Sequence, residues 1–167
     1  IDTADLGRQL ALEMAEQGTL PVRMVASLYV NRPGDLDDAL DRLSALDATY
    51  DHELFDVNTL KLSLDGTVEA KTAVTLSPYT QPEGHRATPL LPELAVIETV
   101  IAAAGRNVDL HLHAIGDGAV RNALDAVEAA REAHPTSTSR YTICHIEVVD
   151  PLDTPRFGQL DVVAQTT

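Results

Sequence analysis

The sequence has no tryptophan, one cysteine, two methionines and only six phenylalanine and tyrosine residues. With so few large rings available, any interior built from it must be aliphatic. Cys144 has no partner for an internal disulfide, so the fold does not depend on an oxidising compartment, and the expected setting is the cytoplasm. Basic residues are also scarce, 12 against 26 acidic ones, which leaves a formal charge of −14. A surface of that sign repels phosphate backbones and anionic headgroups, because affinity for nucleic acid rests on clustered Lys and Arg that release counterions. The expectation is no nucleic-acid partner and no membrane partner. Long hydrophobic runs are missing too. Stretches such as 94–104 are interrupted by charge and fall far short of the roughly 20 apolar residues of a spanning helix. The chain opens on Ile1 rather than Met and enters a helical pattern with no charged leader or apolar signal region, so a processed or excised chain is expected.

What is present suits one ordinary domain over 1–167, at 44% hydrophobic and 23% charged. Leu6, Leu10, Leu12 and Met14 predict a helix over 2–17, capped by Asp2 or Thr3 and ended by Gly18. A β-rich run over 21–30 predicts a strand, and Leu36, Leu40, Leu43 and Leu46 fall at helical spacing after Asp35. Strand character returns over 57–64. A helix is expected over 92–104 with Leu94, Ile97, Ile101 and Ala104 inward, then a strand over 108–115. Gly116-Asp117-Gly118 opens a helix with Val120, Ala123, Leu124, Val127 and Ala130 on one face, followed by a strand over 141–148, a short helix over 151–160 and a strand over 162–165. The segment 66–92 carries Pro78, Pro82, Pro89 and Pro92 and no clear period, so it reads as a long loop, and loops of that length are usually functional or disordered.

Strands alternating with helices point to parallel β-structure with crossover helices, either an open doubly wound sheet or a closed (β/α)8 barrel. A dinucleotide fingerprint starting at Gly116 and Gly118 fails at Arg121, and no acidic residue ends a strand about 20 residues later. In both architectures chemistry collects at the C-terminal strand ends. Three such ends are loaded here: Lys61 with Asp65 and Gly66, His111 and His113 with Asp117, and His145 with Glu147. Side chains alternate along a strand, so His111 and His113 share a face, His145 and Glu147 share a face, and Cys144 points away from His145. Imidazoles from neighbouring strands suit Zn²⁺ or a similar divalent ion; a lone strand histidine reads more often as a satisfied core residue, but two His-bearing strand ends in succession make the two readings about even.

The segments 61–73, 77–79, 111–121 and 144–147, together with Arg156 and Phe157, resemble amidohydrolase family 3, in particular its N-substituted formamide deformylase branch. The resemblance runs in order from about residue 20 to 165, and its most specific part is His113-Ala-Ile-Gly-Asp117 followed about 30 residues on by His145-Ile-Glu147. It implies a metal-dependent (β/α)8 hydrolase of amide or N-formyl C–N bonds, with these five strands as about strands three to seven. Carried over, His113 and His145 match the fifth- and sixth-strand metal ligands. Lys61 matches the fourth-strand lysine, which bridges two metals when carboxylated and is otherwise an unmodified charge. The implied cofactor is one or two divalent ions, zinc above all, and the implied chemistry is a metal-activated water attacking a small-molecule amide. The first-strand His pair and the eighth-strand Asp of the family have no counterpart here. The resulting expectation is a fragment that binds metal weakly or not at all, is inactive alone, and self-associates through exposed sheet edges.

Other residues have both plain and functional readings. Asp117 is placed either to cap its helix or to act in catalysis, and Arg121 one turn on is placed to pair with it. Asp65 shapes a strand-end turn or influences the charge of Lys61. His111, Glu69, Lys71, Tyr79 and Glu147 are candidate substrate contacts, with burial or solvation as the alternative. His52, His85 and His134 match no ligand position, and Cys144 reads as a small residue buried under the helices. Two rival functions remain open. One is a non-enzymatic α/β interaction module. The other is an open-sheet phosphate or nucleotide enzyme that uses Gly116 and Gly118 at a helix N-terminus.

Overall fold

In the computed structural model, which describes residues 5–166, the chain runs α1 (Asp5–Glu16), β1 (Met24–Val30), a 3-10 turn (Pro33–Asp35), α2 (Ala39–Thr49), β2 (Phe55–Ser63), α3 (Glu93–Gly105), β3 (Asp109–Ala114), α4 (Asp117–Ala133), β4 (Tyr141–His145), α5 (Thr154–Gln159) and β5 (Val162–Thr166). The two expected caps of the first helix, Asp2 and Thr3, lie outside the described residues. All five strands are parallel and lie side by side in chain order. A doubly wound sheet needs a point where strand order reverses. The described strands have none, and their order matches a partial TIM-barrel-like arrangement.

The register divides the sheet into two faces. Leu28, Leu60, Leu110 and Tyr141 align across neighbouring strands, as do Val30, Leu62, Leu112 and Ile143, and all eight are buried against the helices. Helix α4 meets them with Val120, Ala123, Leu124, Val127 and Ala130, the face its periodicity predicts. Helix α3 is turned by about one position from the expected phase. Val96, Val100, Ala103 and Ala104 are buried, Ile97 and Ile101 are only partly so, and Leu94 is exposed. Its run is apolar almost all round, so period alone does not choose a face. In α1 the buried residues are Ala11 and Ala15, with Leu6 and Leu10 in solvent.

The opposite face carries the row Tyr29, Lys61, His111, Thr142 and Val163, and one step toward the C-terminal strand ends the row Ser63, His113, Cys144 and Gln165. On this face a hollow of about 310 Å³ runs from the strand starts up to these rows, lined by Ser27, Thr59, Asp109, His111, Arg140 and Thr142. The long segment after β2 is ordered. Gly66 donates to the Thr72 carbonyl, Leu90 to the Leu64 carbonyl, and Tyr79 N to the His85 carbonyl.

Candidate functional site

Lys61 and His111 are register partners on β2 and β3, and the next pair is Ser63 with His113. His111 and His113 share one face, as expected, and the register brings Lys61 to that face at the C-terminal end of the sheet. Tyr29, which no sequence motif marks, completes the group. It is the register partner of Lys61 on β1, its ring lies 6.0 Å from Lys61 Nζ, and its hydroxyl accepts a hydrogen bond from Ser63 Oγ at 3.1 Å.

His145 reaches the site by another route. Its register partner on β3 is Ala114, on the helix-facing side, and β4 stops there. His145 and Ile146 take φ values of 77° and 51°, a left-handed conformation that is costly for a β-branched residue and concentrates at functional sites. The bend is held by Ile146 N donating to the Ala114 carbonyl and Val148 N to the Ile115 carbonyl. It brings the His145 ring to 4.6 Å from that of His113, nearly edge-on. Two expectations fail at this bend. His145 and Glu147 do not share a strand face, because the strand has ended, and Glu147 is exposed. Cys144 does not sit under the helices. It is the register partner of His113 on the inner face, and Lys61 is close enough to favour its thiolate, although burial pushes the thiol up overall.

Asp65 is buried just beyond β2. One of its oxygens accepts from Ile115 N at 3.0 Å and the other from Gly116 N and Val74 N, each at 2.9 Å. The same carboxylate lies 3.6 Å from His113 Nε2, a buried nitrogen with no hydrogen-bond partner of its own. Burial and then the neighbouring His145 hold the His113 imidazole below its ordinary pKa, against the opposing pull of Asp65. Burial raises Asp65 despite its three amide donors.

Asp117 does not cap its own helix. Its Oδ1 accepts from Leu76 N at 2.9 Å, and the helix amides of Gly118 and Ala119 donate to the Val74 carbonyl instead. Loop and helix thus cap each other. A phosphate at this helix N-terminus would need the place of Val74, whose carbonyl oxygen sits where a β-carbon of Gly116 would be. The open-sheet phosphate reading fails on that packing. Arg121 turns from Asp117 to Asp153 (2.9 Å) and Asp150 (3.2 Å). Tyr79 is tied back through its hydroxyl to the Ala73 carbonyl, and His85 bonds the Lys71 carbonyl, while Glu69 is exposed. His52 accepts from Leu54 N, and His134 forms the C-terminal cap of α4. These three histidines lie apart from the His113–His145 pair.

Among the described residues no three His, Cys, Asp or Glu side chains form a metal-holding group. The His113–His145 pair nonetheless fits two positions around a divalent ion. The imidazoles are adjacent, His113 is biased toward its neutral form, and its Nε2 lacks any other partner.

The fold agrees with what the chain is similar to. Residues 8–167 match the model of the amidohydrolase family. Over 154 residues the chain is 29% identical to the exoenzymes regulatory protein AepA of Pectobacterium carotovorum subsp. carotovorum, covering 91% of this chain and 32% of that protein. An uncharacterized metal-dependent hydrolase from Pyrococcus furiosus superposes with a TM-score of 0.77 at 25% identity, over 99% of this chain and 33% of that one. One from Pyrococcus horikoshii OT3 shares the fold, with a TM-score of 0.76 at 20% identity, over 99% of this chain and 32% of that one. The chain therefore spans about a third of the length of these relatives, and it belongs to the amidohydrolase family.

Proposed function

We propose that this chain supplies the central part of a metal-dependent hydrolase site acting on amide or N-formyl C–N bonds, of the kind found in the formamide deformylase-like branch. The observation that carries the reading is the meeting of His113 and His145 beside Lys61 on one face, with the His113 nitrogen left unsatisfied. His113 and His145 would be two ligands, and Lys61 either a third or a fixed positive charge. A divalent ion held there, zinc being the best fit to imidazole donors, supplies Lewis acidity toward a carbonyl oxygen and lowers the pKa of water. Lys61, held near the Tyr29 ring, faces a bound substrate from β2, and the Tyr29 hydroxyl offers a polar contact beside it.

Titration with Zn²⁺, followed by the ring ¹⁵N signals of His113 and His145, tests the reading. Weak binding that moves both rings, lost in His113→Ala, supports it; unmoved rings overturn it. With only two or three ligands the chain alone is expected to show no turnover of an N-formyl amine, and zinc-dependent turnover would overturn that part. A second reading, a non-enzymatic regulatory module, draws on the name of the AepA relative, a regulatory protein. It predicts intact folding with no response to Zn²⁺.

A further inference from the structure

We propose that Asp65 is the positioning residue of the site, acting through His113 rather than on substrate. The assignment rests on the metal reading given above. Both carboxylate oxygens are spent on amides, those of Ile115 and Gly116 immediately after β3 and that of Val74 in the loop. With its side chain fully shielded from solvent, Asp65 has no room to carry a proton to or from a substrate. What it does is hold two segments, the turn after β3 and the Val74 loop, to the end of β2. Ile115 is two residues beyond His113, so fixing its amide and that of Gly116 fixes the strand end that carries the imidazole.

The carboxylate also places a negative charge 3.6 Å from His113 Nε2, at a distance and position that leave the nitrogen unbonded. A carboxylate at that distance favours positive charge at the imidazole, the direction in which Asp65 acts on His113. Asp65 therefore both aims the imidazole and favours a cation at it. Outer partners of this kind typically change metal affinity by about 10–100-fold. Through Val74, the same carboxylate makes the loop base and the His113 strand one unit.

The experiment compares the full chain with Asp65→Asn, titrating Zn²⁺ against the ring signals of His113 and His145 and checking each fold by circular dichroism. Folded Asp65→Asn protein with Zn²⁺ affinity reduced about 10-fold or more, and a changed His113 ring ¹⁵N shift before any zinc is added, is the expected result. Unchanged affinity and shift in folded Asp65→Asn overturn the assignment while leaving the metal reading intact. If the variant does not fold, the wild-type chain decides. Zn²⁺ should then slow hydrogen exchange at the Val74 amide, which touches neither histidine, and an unchanged rate there overturns the assignment. If Zn²⁺ moves neither ring in the wild-type chain, the metal reading fails first and the assignment falls with it.

Discussion

The carbonyl oxygen of Val74 occupies the space that a β-carbon on Gly116 would need, and it accepts the amide hydrogens of Gly118 at 3.0 Å and Ala119 at 3.2 Å. A loop residue thereby caps a helix that begins more than 40 positions later in the chain. Gly116→Ala is expected to destabilise the protein by about 3 kcal/mol or more, because backbone rather than a flexible side chain must give way. Gly34→Ala, with nothing near its added carbon, is the control and should stay within about 0.5 kcal/mol. Urea unfolding of the two variants checks the contrast.

Asp153 bonds Arg121 at 2.9 Å and Arg156 at 3.1 Å, and Arg156 reaches Asp125 and Glu128, both at 2.7 Å. This network ties α5 to α4. Asp153 is buried while the arginines are partly exposed and keep other acidic partners, so Asp153→Ala should cost about 1–3 kcal/mol rather than the full penalty of an orphaned charge. Hydrogen exchange should rise in α5 and β5 before it rises in β2 and β3.

Asp56 is held above its ordinary value of 3.8 by burial and then by a hydrogen bond and charge repulsion from Asp47. Between that ordinary value and the raised one the folded chain binds more protons than the unfolded chain. This contribution is thus largest below the window and is lost as pH rises through it. Asp47→Asn removes the like charge, so the loss should become shallower and Tm at neutral pH should increase. Melting curves from acid to neutral pH for both proteins test the sign.

Cys144 is almost wholly buried and its thiol is shifted upward by burial. Reaction with a thiol reagent near pH 8 should run about 100-fold or more slower in the native chain than in urea, since the sulfur is reached only by local opening. Comparable rates in both states would contradict its burial on the inner face.

Strands β1 and β5 are the edges of the described sheet, and Val163 on β5 is 56% exposed. Edge strands of this kind recruit further strands. We propose concentration-dependent self-association, reduced by Val163→Lys. Sedimentation equilibrium showing a monomer at all concentrations would contradict it.

Element types and order were legible in the sequence because strand runs and helical spacings were clean, and the shared face of His111 and His113 followed from alternation, but the register that sets Lys61 beside His111 was not. The bend at His145 was not legible. No local composition signals left-handed dihedrals at a histidine and an isoleucine, so alternation alone sent Cys144 and Glu147 to the wrong sides. Helix α3 was mis-phased because it is apolar nearly all round. The roles of Asp65, Asp117 and Arg121 were hidden for another reason: their partners lie 9 to 51, 41 and 32 residues away, respectively, and only tertiary packing reveals them. Tyr29 carried one usable signal, its place at the end of a strand neighbouring that of Lys61.

Within single strands, neighbouring positions answer to different demands. Lys61 stands between Leu60 and Leu62, and His111 between Leu110 and Leu112, with the leucines packed under helices and the polar residues turned the other way. A substitution in the inner row therefore leaves the helix-facing leucine contacts in place, whereas one in a leucine row opens the layer between sheet and helices. The two rows thus divide the sheet into a face that carries polar groups and a face that holds the fold together.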